Sequence, residues 1–229
     1  MELDTCAPST TSTGAHTPSL PPLAPLHPFT VTALPGKGLA LLATSFIPTG
    51  THLFSESPLL LLTSSSSHAL PQSTRVLAGF SLLPPAPRAA LLALCSNLPL
   101  IPVPTDESTA LAVWKANNFC LDSEGTVNGV FALAARLNHA CVGGENCRWV
   151  WVADGEGEGK GEDGGEGEGE AERGQIQFWT DRDIAVGEEL THCYRPDWRM
   201  GTVNRRAALS EEYGFDCGCT TCEEPEVDD

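Results

Sequence analysis

No apolar run in the 229-residue chain reaches the roughly 20 residues needed to span a bilayer. The opening stretch, Met1 to Pro28, has no charged segment followed by an apolar one, so no secretion signal is expected. Positive charge is scarce: 13 Lys and Arg stand against 30 Asp and Glu, a formal net charge of -17. Residues 154–173 carry -7 of this and residues 211–229 carry -8, which leaves the remainder close to neutral at -2. A body without a basic stripe cannot neutralise a phosphate backbone, so nucleic acid is not an expected partner. No strong basic import run stands out either, which leaves nucleus and cytoplasm equally open.

What is present suits one globular domain, since 41% apolar residues in a chain of this length can build a single core with appendages. The nine cysteines are odd in number. Three of them, Cys217, Cys219 and Cys222, follow one another at steps that suit a metal better than disulfides, and a reducing, intracellular setting is expected.

Along the chain, residues 1–27 are rich in Pro, Ser and Thr with few large apolar groups, a composition that cannot offset its ordering entropy. A disordered tail is expected there. Strand character spans Phe29 to Ala33 and Leu39 to Thr44 around a turn at Pro35-Gly36-Lys37-Gly38, and a further run covers Leu53 to Thr63. Residues 64–116 show helix-like apolar spacing interrupted by Pro84, Pro85 and Pro87, and predict a helical insertion. Asn118 to Leu121 reads as a strand and Val130 to Leu137 as a short helix. Arg148 to Val152 and Ile176 to Thr180 read as two arms of a hairpin whose loop, 154–174, is a self-repelling Gly/Glu tract. Val203 to Tyr213 predicts a last helix before the cysteines.

Four separated segments carry the chemistry. Gly36-Lys37-Gly38-Leu39 is a bend whose missing side chains let backbone approach a ligand. Arg136-Leu137-Asn138-His139-Ala140-Cys141 follows near the middle, then Asp183-Ile184-Ala185-Val186-Gly187-Glu188-Glu189-Leu190-Thr191-His192-Cys193-Tyr194, then Tyr213-Gly214-Phe215-Asp216-Cys217-Gly218-Cys219-Thr220-Thr221-Cys222. In this order the four resemble the SET-domain protein lysine methyltransferases. The Cys-x-Cys-x-x-Cys spacing, with Phe215 two places before Cys217, is similar to the post-SET zinc element of the family's SMYD-like branch. The cysteine and histidine array of a MYND finger is missing from the insertion, so the chain resembles a compact, fungal-type member.

The resemblance implies an α+β fold, mainly β: small sheets, a knot-like C-terminal threading, the helical insertion and a small zinc element. It divides the chain into a SET domain at 28–199 and a post-SET segment with an acidic tail at 200–229. It further implies methyl transfer from S-adenosylmethionine to a lysine side chain of a protein substrate, histone or otherwise, by a chain expected to act as a monomer. Tyr194 matches the family's terminal tyrosine, beside the transferring methyl. Lys37, Gly38 and Leu39 match the cofactor-contacting turn, Asn138 and His139 the pair at the cofactor, and Phe215 an aromatic near adenine; a core residue locking the tail is an equal reading of Phe215. Cys141 matches the fourth ligand of a structural zinc held with Cys217, Cys219 and Cys222, with Cys147 as runner-up. Glu188 and Glu189, adjacent on an extended chain, face opposite ways and are not read as an acid and base pair.

Two departures stand out. The segment after Cys141, Val142-Gly143-Gly144-Glu145-Asn146, is longer than the family's and lacks its proline, with Asn146 able to fill the asparagine position. His192 stands where many members carry a second tyrosine. The altered segment favours an alternative in which the chain is a catalytically silent SET scaffold that binds partners; the retained Tyr194 and glycine bend favour the enzyme.

Overall fold

The structure is a computed structural model that describes residues 27–64, 70–96, 104–153, 174–196 and 200–223. The expected N-terminal tail and almost all of the expected acidic loop lie outside the described residues.

Among the described residues, ten short strands form three sheets. β1 (Phe29–Leu34) and β2 (Gly38–Ala43) are an antiparallel hairpin across the glycine bend. β2 continues onto β10 (Glu189–His192), and β10 onto the two-residue β7 (Asn138–His139). The β10–β7 pair is parallel, with Thr191 opposite Asn138 and His192 opposite His139. A second sheet orders β3 (His52–Glu56), β9 (Gln175–Thr180) and β8 (Cys147–Val152), and β8 and β9 pair as the two arms of the expected hairpin. The third orders β4 (Leu60–Thr63), β6 (Val127–Val130) and β5 (Phe119–Cys120).

Alternation explains what each strand buries. In β9 the burial falls on Ile176, Phe178 and Thr180, and Phe178 stacks on Phe54 of β3 with ring centroids 5.1 Å apart. These side chains join Leu41, Phe131, Leu137, Ile184 and Leu190 in the main core.

Three helices occupy 72–117. α1 (Gln72–Leu82), α2 (Pro85–Leu92) and α3 (Asp106–Asn117) enclose a second core of Val76, Phe80, Leu91, Val113 and Trp114 against Leu60 and Val130. The prolines mark boundaries rather than interiors: Pro85 opens α2, where its missing N–H costs no helical bond. α3 starts with a reciprocal cap, the Ser108 N–H donating to Thr105 Oγ1 at 3.2 Å and the Thr105 N–H to Ser108 Oγ at 3.0 Å. α4 (Thr202–Tyr213) ends at Gly214, left-handed at φ 77°, which turns the chain into the cysteine segment and the short α5 (Thr220–Glu223).

Two sequence expectations need correction. The run from Leu53 to Thr63 is two strands in different sheets, because Pro58 cannot donate to a ladder and the chain changes sheet there. Val130 to Leu137 is not a short α-helix: β6 ends at Val130 and only Ala134–Arg136 coils, as a 3-10 turn. The Glu56 carboxylate accepts the N–H groups of Ala132, Leu133 and Ala134 at 2.7 to 3.0 Å, satisfying the donors that lead into the turn and have no partner within it.

Candidate active site and cysteine centre

The register of β10 decides which residues meet. Because β10 lies between β2 and β7, it sets Glu189 and Leu190 opposite Leu42 and Leu41 on one side and brings Thr191 and His192 alongside Asn138 and His139 on the other. One Glu189 oxygen accepts Lys37 Nζ at 2.6 Å and the other accepts the Asn138 amide at 2.8 Å. A single carboxylate therefore ties the bend to the Asn-His pair. Glu188 faces the other way, toward Arg182 and the Ala185 N–H, as expected for neighbours on an extended chain.

At Gly36 (φ 73°) and Gly38 (φ 74°) the backbone turns left-handed, and an added Cβ would meet nothing within 4 Å at either position. The bend thus presents bare backbone toward open space, with Leu39 38% exposed next to it.

Tyr194 follows β10 directly. Its hydroxyl donates to the Leu137 carbonyl at 3.1 Å, and its ring packs against His139, His192 and Tyr213 at centroid distances of 5.1, 5.0 and 5.2 Å. Part of the residue reaches the surface, yet protein surrounds the hydroxyl, and burial, with Tyr213 and Glu189 behind it, pushes its pKa well above the usual phenol value. The hydroxyl is therefore protonated at neutral pH. Phe215 lies 5.9 Å from His139 and 6.4 Å from Tyr194, so the tail's aromatic shares the same cluster.

His139 has a determined tautomer. The Tyr194 N–H donates to His139 Nδ1 at 3.1 Å, which leaves the proton on Nε2, 3.3 Å from Cys141 Sγ. Burial and then Arg205 push its pKa down to about 4, so the ring is neutral near pH ~7.

Cys141, Cys217, Cys219 and Cys222 bring their sulfurs within 4.8 Å of one another. Cys141 Sγ lies 3.5 Å from Cys222 Sγ and 3.9 Å from Cys217 Sγ. Sulfurs at zinc's bonding distance in a tetrahedron stand about 3.8 Å apart, so the four thiols fit that ion in number, chemistry and spacing. Burial raises Cys141 and Cys217, whereas in Cys219 the hydrogen bonds from the backbone of Cys141 and Cys222 outweigh burial and bring its pKa down to about 7. Cys147 lies elsewhere, in the main core, where its thiol donates to Asn146.

The longer loop after Cys141 is held closed despite its glycine pair. Asn146, 1% exposed, accepts the Thr191 N–H at 2.8 Å and donates to the Glu189 carbonyl at 2.8 Å, so the loop is laced to β10. From the other side Thr221 Oγ1 donates to the Val142 carbonyl, which lays the tail along the same loop. A small pocket next to the cysteines is lined by His139, Cys141, Val142, Cys193, Arg195 and Arg205. Glu189 as a tie and Arg205 were not legible from sequence as site residues; a helical arginine carries no motif.

The SET domain family matches residues 38–195, and the chain belongs to the SET-domain family. It is 26% identical over 197 residues to the histone-lysine N-methyltransferase set5 of Schizosaccharomyces pombe, covering 85% of this chain and 50% of that protein. A shorter stretch of 47 residues is 47% identical to the human histone-lysine N-methyltransferase SMYD3, covering 20% of this chain and 11% of that one. In fold it is similar to the SET domain of LSMT, solved with lysine and AdoHcy, with a TM-score of 0.54 at 13% identity over 85% of this chain and 54% of that one. The chain thus spans about half the length of the yeast relative.

Proposed function

We propose that this chain is a protein-lysine N-methyltransferase that uses S-adenosylmethionine, with residues 28–199 as its catalytic domain and 200–229 as a zinc-bound post-SET segment. The observation that carries the reading is the arrangement around β10: its Glu189 carboxylate holds Lys37 of the bend and Asn138 together, and His139 beside the strand accepts the Tyr194 N–H. The relatives named as lysine methyltransferases support it, and a silent scaffold would not need these groups assembled.

S-adenosylmethionine supplies a methyl group on a sulfonium centre, open to in-line attack by a neutral amine. The residues suited to hold it are the backbone of Lys37, Gly38 and Leu39, the Asn138 amide and the His139 backbone, with Phe215 packed over the site. The bare, outward-facing bend fits a ligand that needs close backbone approach. The Tyr194 hydroxyl, kept protonated by burial and anchored on Leu137, orients the incoming amine and acts through its dipole; it does not serve as a bulk base. His139, neutral and committed at both nitrogens, builds the wall and moves no proton. Four thiolates leave no open position on zinc, so that ion holds the tail and takes no part in the reaction. The substrate is a protein bearing a target lysine. Histones are the first candidates because two relatives carry that word in their names.

The test is radiolabelled methyl transfer to cell lysate and to purified histones, with Tyr194→Phe as control. Wild type is expected to label protein, and the variant to lose at least about 100-fold in turnover while binding S-adenosylmethionine as wild type does in calorimetry. Labelling that persists in Tyr194→Phe removes the tyrosine from its role, and a wild type that binds no cofactor refutes the enzyme reading.

A further inference from the structure

We propose that Arg205 is a positioning residue of the cysteine centre: from outside the coordination shell its guanidinium clamps the Cys141 and Cys222 thiolates together and slows the loss of zinc. The inference rests on the zinc reading above and adds to it a residue that binds no metal.

The geometry is specific. Arg205 Nε donates to Cys141 Sγ at 3.1 Å, and Nη2 reaches Cys222 Sγ at 3.5 Å. These sulfurs come from segments 81 residues apart, one from the loop after β7 and one from the tail, so one planar group bridges the two halves of the centre. The guanidinium is itself held at the start of α4, with Nη1 donating to the Met200 carbonyl at 3.0 Å and Nη2 to Thr202 Oγ1 at 3.1 Å. All three of its nitrogens are engaged, and the fork is aimed before any ion arrives.

Charge gives this arrangement its effect. Four thiolates around a dication leave a net charge of -2 in a largely buried cluster, and a fixed cation in contact with two of the sulfurs offsets part of it. Cys141 lies within reach of a second donor, His139 Nε2. The neighbouring Arg206 is not equivalent, because its guanidinium is paired with the Asp216 carboxylate at the surface. Lysine is a poor substitute for Arg205, since one ammonium cannot span two sulfurs and the helix start with a planar fork.

Zinc-loaded wild type, Arg205→Gln, Arg205→Lys and Thr202→Val are mixed near neutral pH with excess 4-(2-pyridylazo)resorcinol, and the coloured chelate is followed in time. Arg205→Gln is expected to release zinc about 10-fold faster or more, the scale typical of lost outer partners, and Arg205→Lys by a smaller factor. Thr202→Val, which loosens the guanidinium without touching a sulfur, is expected to quicken release about threefold on the same scale. In the cobalt-loaded proteins the sulfur-to-cobalt absorption is expected to keep its four-thiolate form in every variant, because Arg205 is not a ligand. Release from Arg205→Gln at the wild-type rate overturns the clamp while leaving zinc in place. Should that variant not fold, wild-type rates in both Arg205→Lys and Thr202→Val overturn it equally. A wild type that takes up neither zinc nor cobalt overturns the four-thiolate reading, and the clamp falls with it.

Discussion

Replacing His192 by phenylalanine tests how the strand beside Tyr194 is packed. The imidazole is 5% exposed, stacks on Phe119 at 5.3 Å and meets Phe178 edge-on at 5.7 Å, and its Nδ1 has no hydrogen-bond partner among the described residues. Burial, reinforced by His139, pushes its pKa from 6.5 down to about 3. The unfolded chain therefore binds a proton at this residue through the window from 6.5 down to about 3 while the folded chain does not. Its contribution is fully present above that window and is lost as pH falls through it. At about pH 4.5, two units into the window, the loss is roughly 2.5 kcal/mol, equivalent to about 5–10 °C in melting temperature for a chain of this size. Phenylalanine keeps the stacking and removes the titration. Urea unfolding between about pH 7.5 and about pH 4.5 is thus expected to show wild type losing roughly 2.5 kcal/mol more than His192→Phe. Acid-sensitive groups other than residue 192 are common to both proteins and cancel in the comparison. Parallel pH curves for the two proteins would refute a neutral, buried His192.

Glu56→Gln turns an amide N–H toward a row of backbone donors and is expected to cost about 1–3 kcal/mol in urea unfolding; an unchanged midpoint would show that the carboxylate does not shape the 132–136 segment. Gly38→Ala forces a Cβ into a left-handed conformation and is expected to cost about 1 kcal/mol and to weaken S-adenosylmethionine binding in calorimetry. Chelation of zinc is expected to expose residues 213–222 to limited proteolysis, and a metal-free tail that stays protected would contradict the zinc reading.

Much of this could be read from the residues, and the gaps have physical causes. The first hairpin was legible because Gly36 and Gly38 punctuate two apolar runs, and the helices because apolar spacing changes where the prolines begin. Leu53 to Thr63 misled because a strand changing sheets at Pro58 looks like one apolar run. The segment at 130–137 misled because its apolar spacing looks helical, whereas Val130 ends β6 and only Ala134–Arg136 coils. Cys141 could be paired with the tail cysteines only through the family resemblance, while the proximity of Tyr194 to His139 depends on a parallel register that leaves no periodic trace. Arg205 was invisible for a plainer reason: an arginine on an amphipathic helix reads as a solvated face until its sulfur partners are in place.

The placement of β10 also sets an order of events during synthesis. The strand at the middle of the first sheet is made from residues 189–192, far later than β2 at 38–43 and β7 at 138–139. Until it leaves the ribosome, one edge of β2 stays open and Leu41 lacks its partner Leu190. A nascent chain that already holds α1, α2 and α3 still has a split sheet. Assembly waits on long-range closure, the slow kind of pairing.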